Sequence, residues 1–168
     1  MNHLISKLAK DGFQLVAGSF MARLGTKDDT GGGSMGNYHQ LYYHVTWATY
    51  ERQPLIDDEL LQPLHDYLKG KTIAMGGFAF AVGGVAEHVH LCLTIPPNIS
   101  ISKFIGQLKG ASSHWVNHIV KPGGSFEWQE GYGIFTVSKE NVELVKSYIQ
   151  NQDRHHRDGK VENSWEIE

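Results

Sequence analysis

From residue 38 to 50 the chain alternates in the rhythm of an extended strand. Leu41, Tyr43, Val45 and Trp47 share one face, and Tyr42, His44, Thr46 and Ala48 the other. A turn through Gln53-Pro54 precedes a helical pattern over 57–69, with Leu60, Leu61, Leu64 and Leu68 on its buried side and Pro63 inside the span, where a late start or a bend is expected. Residues 73–85 read as a second strand, irregular at Gly76-Gly77 and Gly83-Gly84. Residues 88–95 form the clearest strand: Val89, Leu91, Leu93 and Ile95 point one way, His88, His90, Cys92 and Thr94 the other. A long helix follows to about 120, with a stripe of Ile101, Phe104, Ile105, Leu108, Ala111, Trp115 and Ile119. A last strand at 132–137 leads to a helix that Ser138 is placed to cap and that runs to about 153.

Strand, helix, strand, strand, helix, strand is the split β-α-β order. It predicts an α+β, ferredoxin-like domain: an antiparallel sheet with two helices packed on one face, plus an extra C-terminal helix. The other sheet face is left to carry polar residues or a partner. The glycine-rich run 27–34, followed by Met35, marks residues 1–34 as an expected leader or fusion segment without fixed structure. The domain is expected at 35–161, with an acidic tail at 162–168.

Composition narrows the classes. Of 168 residues, 40% are hydrophobic and 20% charged, which fits one packed domain. No run is long enough to cross a bilayer, and a single cysteine excludes an internal disulfide framework, so a cytoplasmic setting is expected. The net charge of −3 does not advertise a nucleic-acid binder, but Lys103, Lys109, Lys121, Lys139, Lys146, Arg154 and Arg157 all lie in the second half and could line a groove.

Two histidines one residue apart on a strand leave from the same face, their Cβ atoms about 6–7 Å apart, close enough to share one divalent ion. With ten histidines in the chain, His88 and His90 read equally as ordinary residues of a half-exposed sheet. On the last helix Tyr148 and Gln152 are one turn apart and share a face, which suits either plain packing or a phenol beside an amide ligand.

The combination is more specific than its parts. Tyr43-His44-Val45-Thr46-Trp47, Glu87-His88-Val89-His90-Leu91, Ser100-Ile101-Ser102-Lys103, Leu108-Lys109-Gly110 and Tyr148-Ile149-Gln150-Asn151-Gln152, followed by Asp153-Arg154-His155-His156, together resemble the IS200-like single-tyrosine transposases with their His-hydrophobe-His pair. Glu87 stands where relatives often have Asp. The resemblance implies that His88, His90 and Gln152 hold a divalent ion, Mg²⁺ or Mn²⁺, and that Tyr148 is the nucleophile. It also implies a homodimer whose tyrosine helix acts in trans, and a substrate of single-stranded DNA with subterminal hairpins. The implied reaction is cleavage and rejoining of element ends by transesterification through a 5′-phosphotyrosine.

His44 is a candidate to support the histidine pair, if its strand neighbours theirs. Lys109, Arg154, His155 and His156 are candidates for DNA contact. Two other readings remain at this point: a metal-free hairpin-binding module of the same fold, and a replication- or relaxation-type nickase.

Overall fold

The computed structural model describes residues 39–152. The 27–34 linker, the 162–168 tail and Arg154, His155 and His156 lie outside the described residues. The chain divides into the units Met1–Gln40 and Leu41–Glu168.

The elements of the second unit are β1 (Tyr42–Ala48), α1 (Asp58–Ala74), β2 (Phe78–Val85), β3 (His88–Thr94), α2 (Ile101–Trp115), β4 (Gly133–Val137) and α3 (Val142–Gln150). The sheet is antiparallel throughout, in the order β2-β3-β1-β4. This is the α+β, ferredoxin-like arrangement expected from the element order, with α3 as the extra helix. Among the described residues no helix is long and apolar enough to cross a membrane.

Pairing of β1 with β3 fixes the two faces. Trp47 lies opposite Val89 and Val45 opposite Leu91, so the odd-numbered residues of both strands enter one core. There they meet Leu60, Leu64 and Leu68 of α1 and Phe104, Ile105 and Leu108 of α2, all fully buried. A smaller cluster on the opposite face joins Ala81 and Cys92 to Val142, Val145, Tyr148 and Ile149 of α3.

Several boundaries differ from the sequence expectation, each for a local reason. Helix α1 runs to Ala74, so 73–74 are helical rather than strand. Pro63 does not interrupt it: the acceptor that loses its partner is the carbonyl of exposed Glu59, which water can satisfy. The Asp57 side chain accepts from the Leu60 N–H at 3.0 Å to start the helix. Past the Met75 cap, Gly76 with φ of 80° closes the helix end, and Gly76 and Gly77 donate back to Ile73 and Thr72. The register shift in β2 falls between Ala79 and Ala81, not at a glycine pair. Helix α2 gives way to a π-helical turn at Val116–Val120, which rotates Ile119 off the apolar stripe and leaves it 58% exposed. Ser112 replaces it in the buried set, accepting from the Trp128 indole at 3.0 Å and donating to the Leu108 carbonyl at 2.7 Å. Ser138 makes no capping bond, because a 3₁₀ turn at Lys139–Asn141 intervenes before α3.

His65 on α1 offers a measurable consequence. Burial holds its pKa down at about 4, and Asp66 only partly opposes this. The unfolded chain titrates near the ordinary value of 6.5 and so binds the proton first. Stability is therefore present above pH 6.5 and lost as pH falls toward 4, by roughly 3 kcal/mol at most. Urea unfolding of His65→Leu between pH 7 and 4 should show an acid loss smaller than the wild type's by about that amount; an identical pH profile would contradict it.

Candidate functional site

The second sheet face carries the polar chemistry. The register sets Ala48 opposite His88, Thr46 opposite His90 and His44 opposite Cys92, so the even-numbered residues of β1 and β3 share the face away from the main core. His44, His88 and His90 are all nearly fully buried there. The His88 and His90 rings lie 4.9 Å apart, almost perpendicular. The neighbouring strand places His44 diagonally beside His90, with Nε2 of His44 2.9 Å from Nδ1 of His90. That contact commits Nδ1 of His90 to a hydrogen bond, so Nε2 is the nitrogen that would serve as a metal ligand.

His88 is braced differently. The Glu87 carboxylate lies 3.6 Å from His88 Nδ1, and the same oxygen accepts from Arg52 Nε at 3.3 Å and Nη2 at 3.1 Å. Arg52 sits in the turn after β1, where Thr49 ties both its N–H and its hydroxyl to the Glu87 carbonyl. The exit of β1 and the β2–β3 turn are thus fastened together beside the histidine pair.

Helix α3 closes this face. Its apolar residues Val142, Val145 and Ile149 point toward the sheet, and Tyr148 goes with them, only 6% exposed. The phenol ring lies 5.9 Å from the His90 ring and 6.3 Å from that of His44, edge-on to both. Asn151 caps the helix, and Gln152 follows, 1% exposed. Neither amide atom of Gln152 has a hydrogen-bond partner among the described residues. A buried amide left without partners costs about 1–3 kcal/mol per group, so Gln152 is chemically suited to a ligand that takes its oxygen. Among the described residues no three His, Cys, Asp or Glu side chains form a metal cluster.

The sequence-predicted residues therefore separate. Tyr148, His88, His90 and His44 come together, and Gln152 is buried one turn beyond Tyr148. Lys109 braces a loop of the fold, its ammonium donating to the carbonyls of Gln129 at 2.5 Å and Gly131 at 2.6 Å, and burial lowers its pKa. Residues that sequence reasoning missed are Phe135, opposite His44 on β4 with its ring 5.8 Å away, and the Arg52–Glu87 brace. Alternation along β4 could have indicated Phe135; nothing local in the sequence links Arg52 to Glu87. Beneath α3, burial and the nearby Glu143 push the Cys92 thiol up to about 11.

Fold and site define the class: an α+β domain with a buried histidine–tyrosine constellation between its sheet and a terminal helix. The chain belongs to the IS200-like transposase family, whose model, "Transposase IS200 like", matches residues 37–152. The ISDra2 transposase TnpA of Deinococcus radiodurans is 30% identical over 124 residues, 70% of this chain and 87% of that protein. The transposase for insertion sequence element IS200 of Salmonella typhimurium is 38% identical over 72 residues, 40% of this chain and 47% of that protein. A crystal structure of a transposase from Deinococcus radiodurans superposes with a TM-score of 0.55 at 31% identity, covering 73% of this chain and 98% of the other. A REP-associated tyrosine transposase bound to a REP hairpin shares the fold, with a TM-score of 0.52 at 17% identity and 76% of each chain covered.

The tie made by Lys109 is testable apart from any activity. Lys109→Met should lower stability by about 1–2 kcal/mol, since water can take over the exposed carbonyls and only the charge-assisted bonds are lost, and should speed amide exchange at Gln129–Gly131. An unchanged urea midpoint with unchanged exchange would show that the tie is not structural.

Proposed function

We propose that this transposase cleaves and rejoins single-stranded DNA by transesterification at Tyr148. The observation that carries the reading is the buried Tyr148 ring 5.9 Å from His90, with the unpartnered Gln152 amide one turn beyond it. His88, His90 and Gln152 would hold a divalent ion, Mg²⁺ or Mn²⁺, which supplies Lewis-acid polarisation of the scissile phosphate when bound. His44 acts through His90 by fixing which ring nitrogen faces the ligand, and Glu87 acts on His88 from the Nδ1 side. The Tyr148 oxygen forms a bond to phosphorus as the bond to the 3′-oxygen breaks. This leaves a 5′-phosphotyrosine and a 3′-hydroxyl, and attack by a second 3′-hydroxyl reverses the exchange without an external energy source. Hairpin DNA is the substrate class suggested by the hairpin-bound relative.

A homodimer is part of this proposal: β2 and β4 are edge strands, and Phe135 on β4 is 37% exposed. The resemblance implies a tyrosine helix acting in trans; within one chain α3 packs on β2 and β3, the surface a partner's identical helix would occupy in exchange. Mixing Tyr148→Phe protein with the His88→Ala/His90→Ala double variant should then restore part of the cleavage of hairpin-ended DNA. No recovery in the mixture would overturn action in trans.

Denaturing gels with labelled hairpin-ended single strands and Mn²⁺ should show a covalent protein–DNA adduct that maps to Tyr148 and is absent in Tyr148→Phe, with hairpin affinity retained. An adduct at another tyrosine overturns the nucleophile. Calorimetric Mn²⁺ titration should lose the site in the double histidine variant and weaken by at least about tenfold in Gln152→Ala, since even residues outside the ligand set typically contribute that much. Undiminished binding in the double variant overturns the ligand assignment.

A further inference from the structure

Ile149 follows the proposed nucleophile in the chain, and its backbone lies directly against β2. A Cβ built on Gly83 would fall 2.2 Å from the Ile149 carbonyl oxygen, 2.9 Å from its Cγ2 and 3.1 Å from its carbonyl carbon. Gly83 pairs with His90 across the β2–β3 ladder, so the space left by its missing side chain is on the imidazole face. Its φ is outside the left-handed region, unlike that of Gly84 at 153°, so the backbone conformation alone does not require glycine. The approach of the helix does.

We propose that Gly83 is a positioning residue for the Tyr148 reaction: it is the seat on which α3 settles, at the depth that sets the phenol beside His90. This rests on the assignment of Tyr148 as nucleophile. Ala81, the inward-facing neighbour on β2, is also small and belongs to the cluster beneath α3. The clash at Gly83 involves a helix carbonyl, which cannot rotate aside as the tip of a long side chain would. A methyl group there must lift α3 by about 1 Å, and a misplacement of that size can slow a positioned reaction by about 100-fold.

Cys92 reports the seat independently of activity. It is the only cysteine in the chain, fully buried, and lies in the cluster with Val145, Tyr148 and Ile149. In native buffer, Gly83→Ala should raise the labelling rate of Cys92 by a small maleimide at least about tenfold through local opening of α3. Leu64→Ala, which weakens the main core instead, controls for general loss of stability and should raise labelling far less at a matched urea midpoint. Adduct formation by Gly83→Ala should fall about 100-fold with hairpin affinity within about twofold of wild type. Ile149→Ala, which loosens the same contact from the helix side, should change labelling and adduct rate in the same directions and serves if Gly83→Ala does not fold. Labelling as slow as wild type, or faster labelling with an unchanged adduct rate, overturns the proposal. Absence of any Tyr148 adduct in the wild type would instead overturn the nucleophile assignment, and with it the positioning role, while labelling would still decide whether α3 rests on Gly83.

Discussion

Everything at the site depends on the register between β1 and β3. With Thr46 opposite His90 and Trp47 opposite Val89, the odd-numbered residues fill the main core and the even-numbered ones gather His44, His88 and His90 on the other face. A slip of one residue in β1 would send His44 into the layer of Leu64 and Phe104 and turn Val45 and Trp47 toward α3. Burying one uncompensated imidazole in that layer while removing two of its largest side chains is a combination the fold could not absorb. The register is therefore enforced by the apolar face, and the polar face inherits its precision.

That inheritance is needed because a buried polar cluster stabilises nothing until its groups are satisfied. The contact between His44 and His90 meets part of the requirement, and the Glu87–Arg52 brace addresses His88 from outside. The brace has its own local cost. Glu51 and Arg52 have φ of 50° and 53°, in the left-handed region that costs non-glycine residues about 1 kcal/mol or more each. The turn is held by Glu51 N–H donating to Gln129 at 2.8 Å and Arg52 N–H to Thr49 at 3.0 Å. Gln129 also offers its carbonyl to Lys109. One loop thus supports the turn that aims Arg52, and a lysine on α2 supports the loop.

The sequence made the fold legible wherever one face was apolar. The leucines of α1, the alternation in β3 and the Phe104–Leu108 stretch all carried their period in plain view. Legibility ended where a local event changed the period. The π-helical turn moved Ile119 outward, and a 3₁₀ turn displaced the start of α3 from Ser138. At the site, the spacing of His88 and His90 and of Tyr148 and Gln152 placed each pair on one face, but spacing could not say that the two faces meet. That follows from helix packing on β2, and hence from the lack of a side chain at Gly83, which as a sequence letter signals only irregularity. The Arg52–Glu87 brace joins residues 35 apart and left no local trace.

Charge shows the same gap between composition and placement. Several cations that composition would assign to a DNA groove are occupied within the fold. Lys121 pairs with Asp57, Lys146 with Glu143 at 3.1 Å, and Lys109 donates to two carbonyls. A protein that bound DNA chiefly by neutralising phosphates would leave such groups to the backbone, and its affinity would fall steeply with salt. The Lys121 and Lys146 pairs are exposed and individually weak, so a phosphate could still compete for them, whereas Lys109 is held by the fold. A net charge of −3 is a sum over the whole chain, and it leaves open where on the domain the positive groups are gathered.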